Sequence, residues 1–218
     1  NSLTIGSGAS VTLATGTLTV TGTATNNGTL TIGDATLGAG TFTLDSVSIT
    51  GTGTSGTLTG PGTITTLNAT TGATLNGGAG LAVTDAIAGS PDLTLSGNVT
   101  LSGAVGTISN PGTLTLNGNL TSTGDIDIAA AGRLVTGDYN LSAANITELG
   151  AGAVLDASGQ TTAGRTVTFS AGMTLVAGGF TPGTATTVTS SGTGNLTSAG
   201  NNVGNIEKTT AGTLTLQD

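Results

Sequence analysis

Few side chains in this sequence are equipped for chemistry, and their types and spacing limit what that chemistry would be. Asp125-Ile126-Asp127 sets two carboxylates at alternate positions. On a strand both would share one face, about 6–7 Å apart. Such a pair suits glycoside hydrolysis or supplies part of the oxygen shell of Ca²⁺, which takes six to eight ligands. Two carboxylates alone complete neither. A glycine-rich calcium repeat is approached at Gly77-Gly78-Ala79-Gly80-Leu81-Ala82, but Ala82 stands where the ligand aspartate belongs. Nucleophilic catalysis needs a base beside Ser, Thr or Cys. The chain has no His and no Cys, and Lys208 is its only lysine. Glu207 and Lys208 are adjacent, so a strand turns them to opposite faces, as solvent-facing charge. The expectation is therefore no enzyme, no catalytic residue, no cofactor and no metal.

The elements that would position these groups are all of one kind. Threonine alternates with an aliphatic residue behind a glycine in Gly16-Thr17-Leu18-Thr19-Val20, Gly28-Thr29-Leu30-Thr31-Ile32 and Gly40-Thr41-Phe42-Thr43-Leu44. The pattern returns in Gly112-Thr113-Leu114-Thr115-Leu116 and in Gly212-Thr213-Leu214-Thr215-Leu216. Period two with one apolar side is a strand pattern, and recurrence along the chain marks a repeat architecture. Leu18, Leu30 and Phe42 stand 12 positions apart, and Ile108, Leu114, Leu120 and Ile126 stand six apart. Hexad spacing points to a β-solenoid whose coils contain several short strands. Coils of about 20 residues would number about 10 and form a rod about 50 Å long.

Composition agrees. Of 218 residues, 35% are hydrophobic, 2% aromatic and 6% charged, and 39 are glycine. A core with three Phe, one Tyr and no Trp must be thin and aliphatic. The net charge of −8 lacks the basic footprint of a nucleic-acid or anionic-lipid binder. No apolar run reaches the ~20 residues of a membrane span, so no membrane insertion is expected. Turn chemistry is dense. Pro61-Gly62, Pro111-Gly112 and Pro182-Gly183 fit type II turns with positive φ at glycine. Ser90-Pro91-Asp92 is a further turn, as are Asn27-Gly28, Asn76-Gly77 and Asn117-Gly118. The Asn-Gly pairs also suit hairpins, which keeps an antiparallel sandwich as the structural runner-up. Near Thr162 larger side chains, Phe169, Met173 and Phe180, point to a wider core or a capped groove. Ranks of threonine raise ice binding, against which the drifting register argues. Sequons at Asn27, Asn68, Asn98, Asn119, Asn140, Asn145 and Asn195 are acceptors for glycosylation if the source performs it.

The chain ends carry the same strand chemistry as its interior. Ser2-Leu3-Thr4-Ile5 and Thr213-Leu214-Thr215-Leu216 bear no charged, proline-bearing or amphipathic cap. Solenoids need polar caps, because open strands pair with other chains. Ser2, Leu3, Thr4, Ile5, Thr213, Leu214, Thr215 and Leu216 are thus the candidate assembly residues, with another copy of the chain as the partner.

The repeats from Gly112 to Thr121 and from Asn202 to Leu216 resemble the passenger repeats of bacterial autotransporter and filamentous-haemagglutinin-type adhesins. The resemblance implies a right-handed parallel β-helix, secretion, and an adhesive or structural role at the cell surface. The expected protein is all-β: one β-solenoid domain over residues 1–218, of short Gly/Thr/Leu-rich coils, a segment or protomer of a longer extracellular fibre. The alternative is an adhesin passenger segment that binds a host or glycan ligand through surface loops, with Tyr139, Phe169 and Phe180 as its aromatic candidates.

Overall fold

A computed structural model describes residues 1–49, 56–69, 73–76, 81–83, 87–89, 93–96, 99–101, 105–108, 113–122 and 124–218. The turns expected at Asn76-Gly77, Ser90-Pro91-Asp92 and Pro111-Gly112, and the glycines of the calcium-like segment, lie outside the described residues. Among the described residues there is no helix, and every strand pairing is parallel. The protein is a parallel β-solenoid. The sandwich is excluded, since hairpins pair antiparallel strands. Asn27-Gly28 instead turns a corner between Ser10–Asn26 and Thr29–Ile49, two strands that run parallel to each other.

Three ladders of strands climb the solenoid, one on each face. The first is continuous from Leu3 through Ala24, Phe42, Gly62, Leu81, Val99, Leu120, Leu141, Val167 and Val188 to Ile206. The second includes Val11 beside Leu30 and, higher up, Val105, Ile126, Ile146, Met173, Leu196 and Leu216. The third includes Leu18, Leu37, Leu58, Leu75, Leu95 and Leu116. The hexads now have a structural meaning: Leu114, Leu120 and Ile126 lie on the third, first and second faces in turn. One hexad carries the chain past one corner. The 12-residue spacing of Leu18, Leu30 and Phe42 passes two corners at a time.

Alternation packs the interior. Leu30, Ile32, Leu37, Leu44, Leu58, Ile64, Leu120, Ile126 and Leu134 are buried, with Phe42 and Phe169 as the largest fully buried side chains. Burying each such side chain contributes ~1.5–3 kcal/mol. Corners are stitched by asparagine. The backbone N–H of Asn140 donates to Asn119 Oδ1 (2.9 Å), and that of Thr166 donates to Asn140 Oδ1 (3.0 Å). Each side chain thus satisfies a donor of the next coil, which a bend out of the ladder would orphan.

The coil widens where the larger side chains enter. Leu141 pairs with Val167 and Ile146 with Met173, longer steps than Leu120 to Leu141 or Ile126 to Ile146. Phe169, Met173 and Phe180 all lie in the core, so they fill the wider section.

The two described Pro-Gly pairs keep glycine for different reasons. Gly62 has φ +138, as a type II turn requires in sign, and an added Cβ would lie 2.5 Å from Phe42 N. Gly183 is absent from the positive-φ glycines, so the expected type II geometry does not form there; the coil below leaves no room, with Ala157 O 2.7 Å from an added Cβ. Gly62→Ala combines backbone strain of ~1–3 kcal/mol with overpacking of similar size. It is expected to cost about 2–4 kcal/mol in a urea titration, whereas Gly6→Ala, in open space at ordinary φ, is expected to change little.

Candidate functional site

Among the described residues three large apolar side chains are exposed: Leu149, just past the strand Leu141–Glu148, and Ile206 and Leu216 in the last coil. At the carboxyl-terminal end Leu216 is 62% exposed and Ile206 40% exposed. With Leu196, Val203 and Asp218 they line a hollow in that end. Leu214 is half-buried, and Thr213 and Thr215 are exposed. This rung is held on its inner side. Leu214–Gln217 pairs with Gly194–Thr197, and Gln217 Oε1 accepts from Thr197 Oγ1 (3.1 Å). The Asp218 carboxylate accepts from Ser198 Oγ (2.6 Å) and Gly200 N (2.9 Å). Those bonds, Ser198's first, hold its pKa below the usual carboxylate value.

At the amino-terminal end Ile5 is buried, Leu3 is half-buried, and Ser2 and Thr4 are exposed. Leu3–Ile5 pairs with Ala24–Asn26. Val11, Leu13 and Leu18 pack against the core while staying partly exposed. All eight residues singled out by sequence therefore lie in end rungs. They do not lie on one face: Leu3–Ile5 belongs to the first ladder and Leu214–Gln217 to the second. The terminal rung of the first ladder is Asn205–Lys208. Sequence reasoning missed Ile206 as an end residue, although its place in the alternation Asn205-Ile206-Glu207 was a signal.

The other candidates stay apart or serve the coil. Asp125 is exposed and accepts from Asn145 Nδ2 (2.7 Å). Asp127, half-buried on the short strand Ile126–Ile128, has its pKa raised by burial and by Asp125, against a hydrogen bond from Thr147. No group of three or more His, Cys, Asp or Glu gathers for a metal among the described residues. Lys208 Nζ donates to Thr210 O (2.9 Å). Phe169 and Phe180 are buried, which leaves Tyr139, half-buried, of the three aromatics considered for glycan contact. Of the described sequon asparagines, Asn27, Asn119 and Asn195 are exposed.

Two acids make specific bonds that sequence did not reveal. Asp138 receives Thr161 N and Thr162 N (both 3.0 Å) and the Thr162 hydroxyl, with Arg165 Nε at 3.4 Å. Thr162's bonds hold its carboxyl well below the usual range. Glu148, 3% exposed, accepts Leu155 N (2.9 Å) and Val176 N (2.6 Å), joining successive coils from inside. Burial raises its pKa, and the Val176 and Leu155 bonds offset part of that rise.

The fold is a parallel β-solenoid. Compared with models of known families, with curated proteins and with solved structures, the chain gives no match.

Proposed function

We propose that the chain is a structural segment of an extracellular or cell-surface fibre, built by end-to-end stacking of solenoid coils on further copies of itself. The observation that carries this reading is the unbroken first ladder, which runs in parallel register from Leu3 to Ile206 and keeps the polar/apolar alternation of a stackable strand in every coil but that of Ala82. In the first coil Leu3, Val11 and Leu13 are half-buried, and in the last Ile206 and Leu216 are exposed, at ladder positions that the interior coils bury. A neighbour in register would set Leu3–Ile5 over Asn205–Lys208 on the first face and Ser10–Leu13 over Leu214–Gln217 on the second. Such a contact pairs open backbone groups and extends the core across the junction. It is heterologous and does not close, so it grows a filament. The net charge of −8 keeps rods apart at low salt, and side-by-side bundling grows as salt screens it.

The test is the double variant Ile206→Lys/Leu216→Lys. Both side chains are exposed in the single chain, so the melting temperature is expected to stay within a few degrees of the parent's. The parent is expected to form filaments in electron micrographs and to sediment as a concentration-dependent series. The variant is expected to sediment as a monomer. A parent that stays monomeric at high concentration, or a variant that assembles as the parent does, overturns the reading.

A further inference from the structure

The third face carries six threonines in unbroken register, where the first face's longest run is four, Thr4, Thr25, Thr43 and Thr63, before Ala82. Thr17, Thr36, Thr57, Thr74, Thr94 and Thr115 are register partners in unbroken succession. Their sequence spacing drifts, with steps of 19, 21, 17, 20 and 21 as differences of these residue numbers. The drift falls between rungs and leaves the ladder in register. The irregular spacing that argued against an ordered threonine surface therefore does not reach this face.

Thr17 is exposed, and Thr36, Thr57 and Thr115 are half-buried. Behind them Leu37, Leu58 and Leu116 are buried and hold the strands level. Two residues along, a second column runs Thr19, Gly38, Thr59, Asn76, Ser96 and Asn117, of which Thr19, Thr59 and Asn117 are exposed. Strand propensity accounts for threonine on every face, but not for this continuity. The first face's column passes through Ala82 and Ser142 and ends at Glu207. The second face's includes Asp127 and Gln217. The threonine column and its neighbour contain no charged residue from Thr17 to Asn117, while Asp34, the register partner of Thr15, stands two residues before Thr36 at the edge of the face; the threonine column then leads to Val135 and Asp156.

We propose that this face binds ice. Polar positions recur about 4.8 Å apart across rungs and about 6.6 Å apart along each strand. These two repeats lie close to the a- and c-axis repeats of hexagonal ice. Threonine suits such a lattice better than serine, because its branched Cβ restricts χ1 and fixes hydroxyl and methyl alike. The hydroxyl exchanges hydrogen bonds with lattice water at ordinary O–H···O distance, while the methyl occupies the gaps between waters. A charge within the two columns would hold its own hydration shell and break the order. The array lies along the side of the rod, so this inference stands apart from end-to-end assembly.

The test uses the full chain and ice itself, through inhibition of recrystallisation and shaping of single crystals. Activity is expected for the parent and for Thr121→Lys, an exposed first-face position. Loss of activity is expected for Thr57→Lys and Thr115→Lys, each with circular dichroism and melting like the parent's. Ice growth unaffected by the parent overturns the proposal. So does equal loss in Thr121→Lys, as does full activity in both array variants. Retention of the parent on microcrystalline cellulose with no effect on ice would instead assign the face to a crystalline polysaccharide, and also overturns it.

Discussion

Leu114→Asp is expected to lower stability by about 3–8 kcal/mol. Leu114 is 3% exposed and stands in a column with Leu93, Leu134, Leu155 and Phe180. Removing a buried leucine side chain costs ~2–5 kcal/mol through lost transfer energy and residual cavity. A carboxyl in its place adds ~1–3 kcal/mol even when it takes up a proton. The sum is a large share of the ~5–15 kcal/mol that holds an ordinary domain together. Because each coil touches only its neighbours, damage begins locally. Amide exchange should quicken first in the strands paired with Thr113–Asn117, followed by a lower melting temperature by circular dichroism. Thr121→Asp, on the exposed side of Leu120–Ser122, is the control, expected within ~0.5 kcal/mol of the parent. Equal melting of Leu114→Asp and the parent would remove the argument for a single aliphatic core.

The second large effect belongs to Glu148. Glu148→Ala takes the acceptor from two backbone donors, Leu155 N and Val176 N. Each unsatisfied donor costs ~1–3 kcal/mol, so the expected loss is about 2–5 kcal/mol by urea titration. Glu148→Gln keeps the volume and one acceptor oxygen, and is expected to lose less. The same group sets a pH dependence. Its folded pKa is raised above the reference 4.5, burial being the main cause. The folded chain then holds this proton more tightly than the unfolded chain, and stability falls as pH rises from 4.5 through the raised value. Asp127, also raised by burial, acts in the same direction.

Asp156 has the opposite sign. Burial pushes its pKa up, but hydrogen bonds from Ser158 and the Arg133 guanidinium more than offset this, and the net shift is downward. Its contribution is present above the reference 3.8 and is lost as pH falls through the lowered value. Melting temperature is therefore expected to peak between the two regimes, near pH 4–5. Glu148→Gln should flatten the slope on the neutral side while the acid fall persists. Identical pH profiles for parent and Glu148→Gln would contradict the role given to this carboxylate.

Much of the fold was legible in the alternation. Leu114, Leu120 and Ile126 announced their burial through hexad spacing, because hydrophobic period and corner length are both local. Asn27-Gly28 was ambiguous because the dipeptide specifies a turn and leaves the partner strand open. Partner choice is non-local: the strand before it stacks on the coil below, and no hairpin forms. The wider coil was visible only as larger residues, Phe169 and Met173, since the extra length lies between rungs. Glu148 was overlooked because a lone glutamate at the end of a strand, here Leu141–Glu148, reads as solvent-facing. The parity of Ile146-Thr147-Glu148 turns it inward, and that was the available signal. The strands at Leu3–Ile5 and Leu214–Gln217 were legible from their alternation, but their division between two faces was not, since it depends on which ladder each strand joins.

Diffraction from aligned fibres of the purified chain tests the central claim most directly. Coils stacked on coils, within a chain and across its ends, place every strand perpendicular to the long axis. A sharp meridional reflection at about 4.8 Å is expected, from filaments many times longer than a single chain. A 4.8 Å spacing perpendicular to the fibre axis, or particles that never lengthen along one axis, would contradict the account.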